Sequence, residues 1–358
     1  MKKISYLELS SIFLVILITF NSGINLFLIK NTSGIDSWLS IIIGYIIGLI
    51  FLLLTIYISN YHKELNLFEK NKHLFKDFIG TIINIIISII FFIIAITLLY
   101  NISSFINTQF LYHTPILITM SLLIILSIYC ATKEINIIAH ISLLLMAINI
   151  IMFILCNISL IGNIKIDNLL PLLKTNYLNI IISSLKIACI NTLPILIILI
   201  IPKEKITNQN KYQKSLIITY IIGTLISLII TLTTISTLGI YLTNMYEYAE
   251  YMVLKKVKLF GFLERVENII SMKWITETYI YLTLIIYSLT KNIKKKNKNT
   301  DNCISIIIGI FLVITTNYVF KNITIFNNFI KNIFIYIIAI LFIIYILITT
   351  KIIFTKKE

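Results

Sequence analysis

Charge is what this sequence has least of. Only 13% of its 358 residues are Asp, Glu, Lys or Arg, against 58% hydrophobic, and the mean hydropathy is +0.97. A soluble domain of this length needs far more polar surface, so that class is excluded and the apolar excess must face lipid. Catalytic signatures are missing too. There is no Walker loop, HExxH, GxSxG, Rossmann fingerprint or metal-ligand cluster. Catalysis, a cofactor and a metal therefore have no support in the residues. The four cysteines (Cys130, Cys156, Cys189, Cys303) are scattered without CxxC spacing and read as small reduced core residues.

Acids are scarcer than bases, 15 against 30, which leaves a formal charge of +15. On a soluble face that excess would suit nucleic acid. Here the lysines sit in short loops between apolar runs, so the partner they imply is the membrane and not nucleic acid. Met1-Lys2-Lys3 before an apolar run mimics a signal peptide. No small-x-small cleavage site follows and the run is long enough to span, so it reads as a retained first helix.

Apolar runs of about 18 residues or more mark spans. They fall near 6–29, 37–59, 78–106, 115–131, 136–159, 178–201, 214–240, 261–290, 303–320 and 329–350. The expected fold is therefore an all-α polytopic membrane protein of about ten transmembrane helices, one integral domain over 1–358. Placing the N-terminus in the cytoplasm puts 19 Lys and Arg on that side and 8 on the other, with Lys186, Arg265 and Lys273 inside spans. That bias predicts cytoplasmic N- and C-termini and an even number of spans.

Ser5-Tyr6-Leu7-Glu8 fits a capping box at the first helix. Asp36, Asp77, Glu134 and Asp301 each open an apolar run, where free N–H groups favour an anion. His140 reads as a hydrogen-bonded core histidine, and Lys186 as a side chain snorkelling outward. The segment Tyr246–Lys258 reads as a short amphipathic stretch lying on the outer surface.

Two spans carry plausible breaks. In the first, Asn21, Ser22, Gly23 and Ile24 interrupt an apolar helix. In the sixth, Asn191, Thr192, Leu193 and Pro194 do so, and Pro194 removes a backbone donor. Irregular backbone at membrane depth persists where it lines a cavity or is held by protein. Breaks in the first and sixth of ten spans are the arrangement of two inverted five-span repeats, here about 6–159 and 178–353, with a small-molecule site between them. The plainer alternative is two kinks satisfied by neighbouring helices.

The eighth span is unusually polar. Lys273 lies roughly 18 Å along the helix from Gly261, near mid-membrane. Lys273, Glu277 and Tyr281 follow i, i+4 spacing and share one stripe. The pair either neutralises itself against a neighbouring helix or couples to a ligand or ion. Glu264, Arg265 and Glu267 lie nearer the outer interface, where an ionic network tying loop to helix is expected.

Three stretches resemble one family. Ser33-Gly34-Ile35-Asp36-Ser37-Trp38 resembles the Gly-x-Asp-x-Trp segment of the B subunits of spore germinant receptors. Asn168-Leu169-Leu170-Pro171 resembles their Asn-Leu-Leu-Pro loop. Phe262-Leu263-Glu264-Arg265-Val266-Glu267 resembles their Phe-Leu-Glu-Arg-x-Glu motif. The resemblance implies a ten-span member of the amino acid–polyamine–organocation transporter superfamily in the spore inner membrane. It implies recognition of a nutrient, often an amino acid, in a complex with A and C subunits. On this sequence the nutrient would sit between Asn21–Ile24 and Asn191–Pro194, walled by Thr97 and the Lys273, Glu277 and Tyr281 stripe. The sequence departs from the family in two places. Asn21-Ser22-Gly23 has less glycine than the family's first break, and Ile190-Asn191-Thr192-Leu193-Pro194 replaces its aromatic–glycine–acid pattern. A secondary amino acid or polyamine permease coupled to H⁺ or Na⁺, and a scaffold subunit that binds nothing, are the two rival readings.

Overall fold

The computed structural model describes residues 3–257, 265–293 and 298–355. Among these residues the chain is helical without a strand, the one β feature being an isolated parallel bridge between Ile4 and Ile206. Eight segments are long and apolar enough to cross a bilayer, and Tyr6–Asn21 and Ile116–Ala131 are shorter apolar helices. Together they cover the ten expected spans, and the chain is a multi-pass membrane protein.

The first span is split into α1 (Tyr6–Ile18) and α2 (Asn25–Ser33). The second is α3 (Ser37–Asn60) and the third lies in α4 (Leu67–Gln109), which kinks at Lys76 one residue before Asp77. The fourth to seventh are α5 (Ile116–Ala131), α6 (Ile135–Leu160), α7 (Tyr177–Ile197) and α8 (Gln209–Met245), the last kinked at Gly239. A short helix α9 (Ala249–Leu254) precedes the eighth span, α10 (Glu267–Asn292). The ninth span is α11 (Lys298–Val319). The tenth is α12 (Ile323–Phe329), a π-helical turn and α13 (Ile335–Thr355).

The bundle turns its apolar side chains both ways. Leu9, Phe13 and Ile16 of α1 and Phe20 just beyond it are buried, while Ile85 and Ile89 of α4, Ile125 of α5 and Ile310 of α11 are exposed. A belt of exposed isoleucine and leucine is what a lipid solvent favours. Inside, α1 is the axis, packed on α6, α8 and α10, and α3 lies along α7. Gly44 permits that second contact, because a Cβ there would come within 2.7 Å of Ile187 Cβ and the Ser184 carbonyl.

Several local expectations change. The capping box is present, with Ser5 N–H donating to Glu8 at 2.7 Å and Glu8 N–H to Ser5 Oγ at 3.2 Å. His140, however, is exposed on α6 and pairs with Glu8 instead of sitting in the core. Asp36 does not cap α3 through its side chain. Its carboxylate instead accepts the Leu173 N–H at 2.8 Å and the Thr175 N–H at 2.9 Å, because the loop after Pro171 brings two free donors to it. Lys186 does not snorkel outward but donates to the Leu28 carbonyl of α2 at 3.4 Å. The segment before α10 is no surface helix. Ala249, Tyr251, Val253 and Leu254 are each about 1% exposed, since Tyr248 and Tyr251 pack edge-on against Phe105. Lys258 and residues 261–264, which include Glu264, lie outside the described residues.

A discontinuous helix and a buried polar stripe

The first-span break is real and specifically held. After α1 the chain makes a 3-10 turn over Thr19–Asn21, and Gly23 takes φ +75°, a left-handed conformation that L side chains rarely adopt. A Cβ at Gly23 would also lie 2.7 Å from the Tyr248 ring, which covers the break. Leaving the helix frees the Ser22 carbonyl, and Asn101 Nδ2 of α4 donates to it at 2.8 Å. Asn25 donates across the gap to Asn21 Oδ1 at 2.8 Å, and Asn21 donates to Ser227 Oγ of α8 at 2.8 Å. Tyr45 of α3 meets the same Ser227 hydroxyl at 2.6 Å. The Asn101 amide thus replaces one backbone bond that the helix gave up, and side chains of four spans tie the break in place.

Span six behaves differently. Here α7 runs without interruption through Asn191, Thr192, Leu193 and Pro194, and the departure is a 3-10 turn at Ile198–Ile200, one turn beyond Pro194. Proline removes only the donor for the Ile190 carbonyl. The turns on either side are held by Thr192 Oγ1 donating to the Cys189 carbonyl at 2.6 Å and by Tyr345 OH donating to the Thr192 carbonyl at 3.5 Å. One missing bond in a packed helix is not enough to break it.

The stripe on α10 is buried to the last atom. Lys273 is 2% exposed and Glu277 and Tyr281 0%, with Lys273 Nζ 2.8 Å from Glu277 Oε1. Among the described residues neither charged group has a hydrogen-bond partner beyond that contact, and the Tyr281 hydroxyl has none. Tyr281 stacks edge-on to Phe20 at 5.7 Å, which puts its hydroxyl end of the stripe beside the first-span break. Lys273 points elsewhere. It borders a cavity of ≈30 Å³ with Cys156 and Glu250, and another of ≈10 Å³ with Leu14 and Asn149. The larger has room for about one water, and neither has room for an amino acid.

Other buried polar atoms are also unmatched. Ser22 Oγ, Asn25 Oδ1 and Ser103 Oγ have no hydrogen-bond partner among the described residues, while the Asn191 amide is within reach of the Tyr220 hydroxyl. Each unmatched atom costs about 1–3 kcal/mol, so together they are a standing instability. Thr97 is buried and its hydroxyl is used within α4, donating to the Ile93 carbonyl at 2.7 Å. Asn101, one turn later, reaches the break instead. Sequence reading missed Asn101, although i, i+4 spacing from Thr97 puts both on one face of α4. Lys30, one residue past the first apolar run at 6–29, was also missed. It is 2% exposed and caps the end of α8 by donating to the carbonyls of Thr243 at 2.9 Å and Tyr246 at 2.5 Å. Arg265 and Glu267 flank the start of α10, and both act electrostatically on Tyr251, whose hydroxyl burial pushes up to about 12.

A broken first span, a water-scale interior and a polar stripe in the eighth span together suggest a permease-type scaffold. The profile of the spore permease family, described as spore germination protein, matches residues 4–324. The chain belongs to that family. The matched region takes in the first-span break, the Asp36 loop contact and the α10 stripe. The family is one of permease-type membrane proteins related to germination. No curated protein matches the chain.

The spore permease chain has one further space that bears on function. A cavity of ≈490 Å³ opens at the end of the bundle that carries Ile4, lined by Glu69, Lys133, Glu134, Pro202, Tyr287 and Lys291 among others. Beneath it Ile12, Ile197, Ile198, Ile201 and Leu284 close around a void of ≈10 Å³. Leu284 is three residues from Tyr281 on α10, so about 4.5 Å of helix separates this apolar layer from the polar stripe.

Proposed function

We propose that this chain is the nutrient-recognition subunit of a spore germination receptor, binding an amino acid or similar small molecule at the first-span break. The single observation that carries this reading is that Ser22 Oγ and the Tyr281 hydroxyl, at and beside the break, are buried without a hydrogen-bond partner among the described residues, with Glu277 and Lys273 one and two turns back along α10. A ligand with one ammonium and one carboxylate fits the polarity of the gap. The carbonyl end of α1 favours the cation and the N–H end of α2 the anion. The water-sized cavities support a closed resting state, so ligand binding must shift the bundle to a more open packing. Partner A and C subunits would read that shift. The two five-span halves, 6–159 and 178–353, would flank the site, with the termini in the cytoplasm and the chain in the spore inner membrane. Glu264, Arg265 and Glu267 belong in this reading to an ionic tie at the outer loop. No catalytic step is part of it.

A permease coupled to H⁺ or Na⁺ is the second reading, and the ≈490 Å³ vestibule favours it. That space stops one apolar layer short of the stripe, as a closed solute path would.

The test is a germination screen of spores lacking this chain, and of complemented spores, against single amino acids. Loss of the response to a defined nutrient, restored on complementation, is the expected result. Unchanged responses to every nutrient would overturn the receptor role. Accumulation of labelled amino acid against a gradient by reconstituted protein would move the assignment to the permease.

A further inference from the structure

Helix α9 carries a carboxylate that the proposed ligand site does not use. Glu250 is 4% exposed, and its Oε1 has no hydrogen-bond partner. It lies between spans, yet α9 is tucked so deeply beneath its tyrosines that the carboxylate faces the interior. The ≈30 Å³ cavity has Glu250 on one wall and Lys273 of α10 on another, with Thr233 and Thr234 of α8 and Cys156 of α6 between them. The two threonine hydroxyls are already committed to carbonyls of their own helix. A water there would accept from the Lys273 ammonium, which otherwise meets only Glu277, and donate to Glu250 Oε1, which has no hydrogen-bond partner among the described residues.

We propose that Glu250, joined to Lys273 through water in this cavity, is a buried proton-binding site that reports on the cover of the first-span break. Uptake is a single transfer. A hydronium gives its proton to the Glu250 carboxylate, leaving water and a neutral carboxyl group, and no bond to carbon changes. Among the described residues, Lys30 of α2 acts on Glu250, Lys273 lines the cavity with Glu277 at its back, and Glu247 precedes Glu250 on its own segment. Lys331, before α13, acts on both Lys30 and Glu247. Burial raises the Glu250 carboxyl to about 7, with Lys30 opposing the rise. The site therefore changes charge near neutrality. Tyr248, the residue that caps α9, lies on Gly23, so the charge of Glu250 is tied to the segment that closes the break.

This inference needs no nutrient and stands apart from its identity. It is tested on the full chain in lipid nanodiscs without ligand, by infrared difference spectroscopy through a series of pH steps. Wild type is expected to show a protonated-carboxyl band with a midpoint near 7, and Glu250→Gln to lose it. Lys273→Met removes a neighbouring positive charge and should move the midpoint up by on the order of one pH unit. Glu277→Gln leaves that charge unneutralised and should move it down, which keeps the test open if Lys273→Met fails to fold. A band that survives Glu250→Gln overturns the proposal. So does a midpoint that stays in place in Glu277→Gln.

Discussion

Two buried polar regions of this molecule look alike in composition and differ in what their atoms do. Around Asp36 the account is closed. The carboxylate accepts two backbone N–H groups of the loop after Pro171, and Thr175 Oγ1 donates to the Ser33 carbonyl at 2.9 Å. Asn168 in the same loop donates to the Ser236 carbonyl at the α8 kink at 2.7 Å. Around Tyr281 the account is open, with Ser22 Oγ, the Tyr281 hydroxyl and the Lys273–Glu277 pair short of partners among the described residues. A closed network fixes loops to helices, whereas an open one in a lipid-embedded core costs stability and persists where something else completes it.

Substitution can break or sharpen this contrast. The largest effect is expected for Lys273→Met, which strands the Glu277 carboxylate at 0% exposure. It should cost about 3–5 kcal/mol, read as a fall in Tm of the purified chain, and Lys273→Met with Glu277→Leu should recover most of it. If the single and double variants melt alike, the two groups are not a pair. Asp36→Ala comes next. It leaves the Leu173 and Thr175 N–H groups without acceptors and should cost roughly 3 kcal/mol, two charge-assisted bonds at about 1.5 kcal/mol each. Limited proteolysis would show the loss as new cleavage at 171–175. An intact loop in that variant would contradict the anchoring role.

The helices were legible because lipid imposes long apolar runs, and a run such as 37–59 needs only its length to be recognised as the span Ser37–Asn60. The Gly23 break was legible for the same reason, as polar residues interrupting an apolar helix. The Pro194 break was not, because proline names one missing hydrogen bond and the neighbours decide whether a helix yields. Asp36 was misread as a cap since its partners lie 137 and 139 residues away, across a loop whose path no local pattern reveals. Asn101, Lys30 and Glu250 escaped notice for that reason too. Each is an ordinary polar residue until the fold brings it to the broken helix, to the end of α8 or to the inside of α9.

If the unmatched polar atoms beside the break are kept for a ligand, Tyr281→Phe separates their cost from their use. The substitution removes one buried hydroxyl that has no partner and leaves the ring on Phe20. Thermal stability of the chain and nutrient-triggered germination should be measured on the same variant. The account predicts an unchanged or higher Tm, by up to about 1 kcal/mol of stability, together with at least a roughly tenfold loss of nutrient sensitivity, equivalent to about 1.4 kcal/mol. Full sensitivity with an unchanged Tm would contradict it.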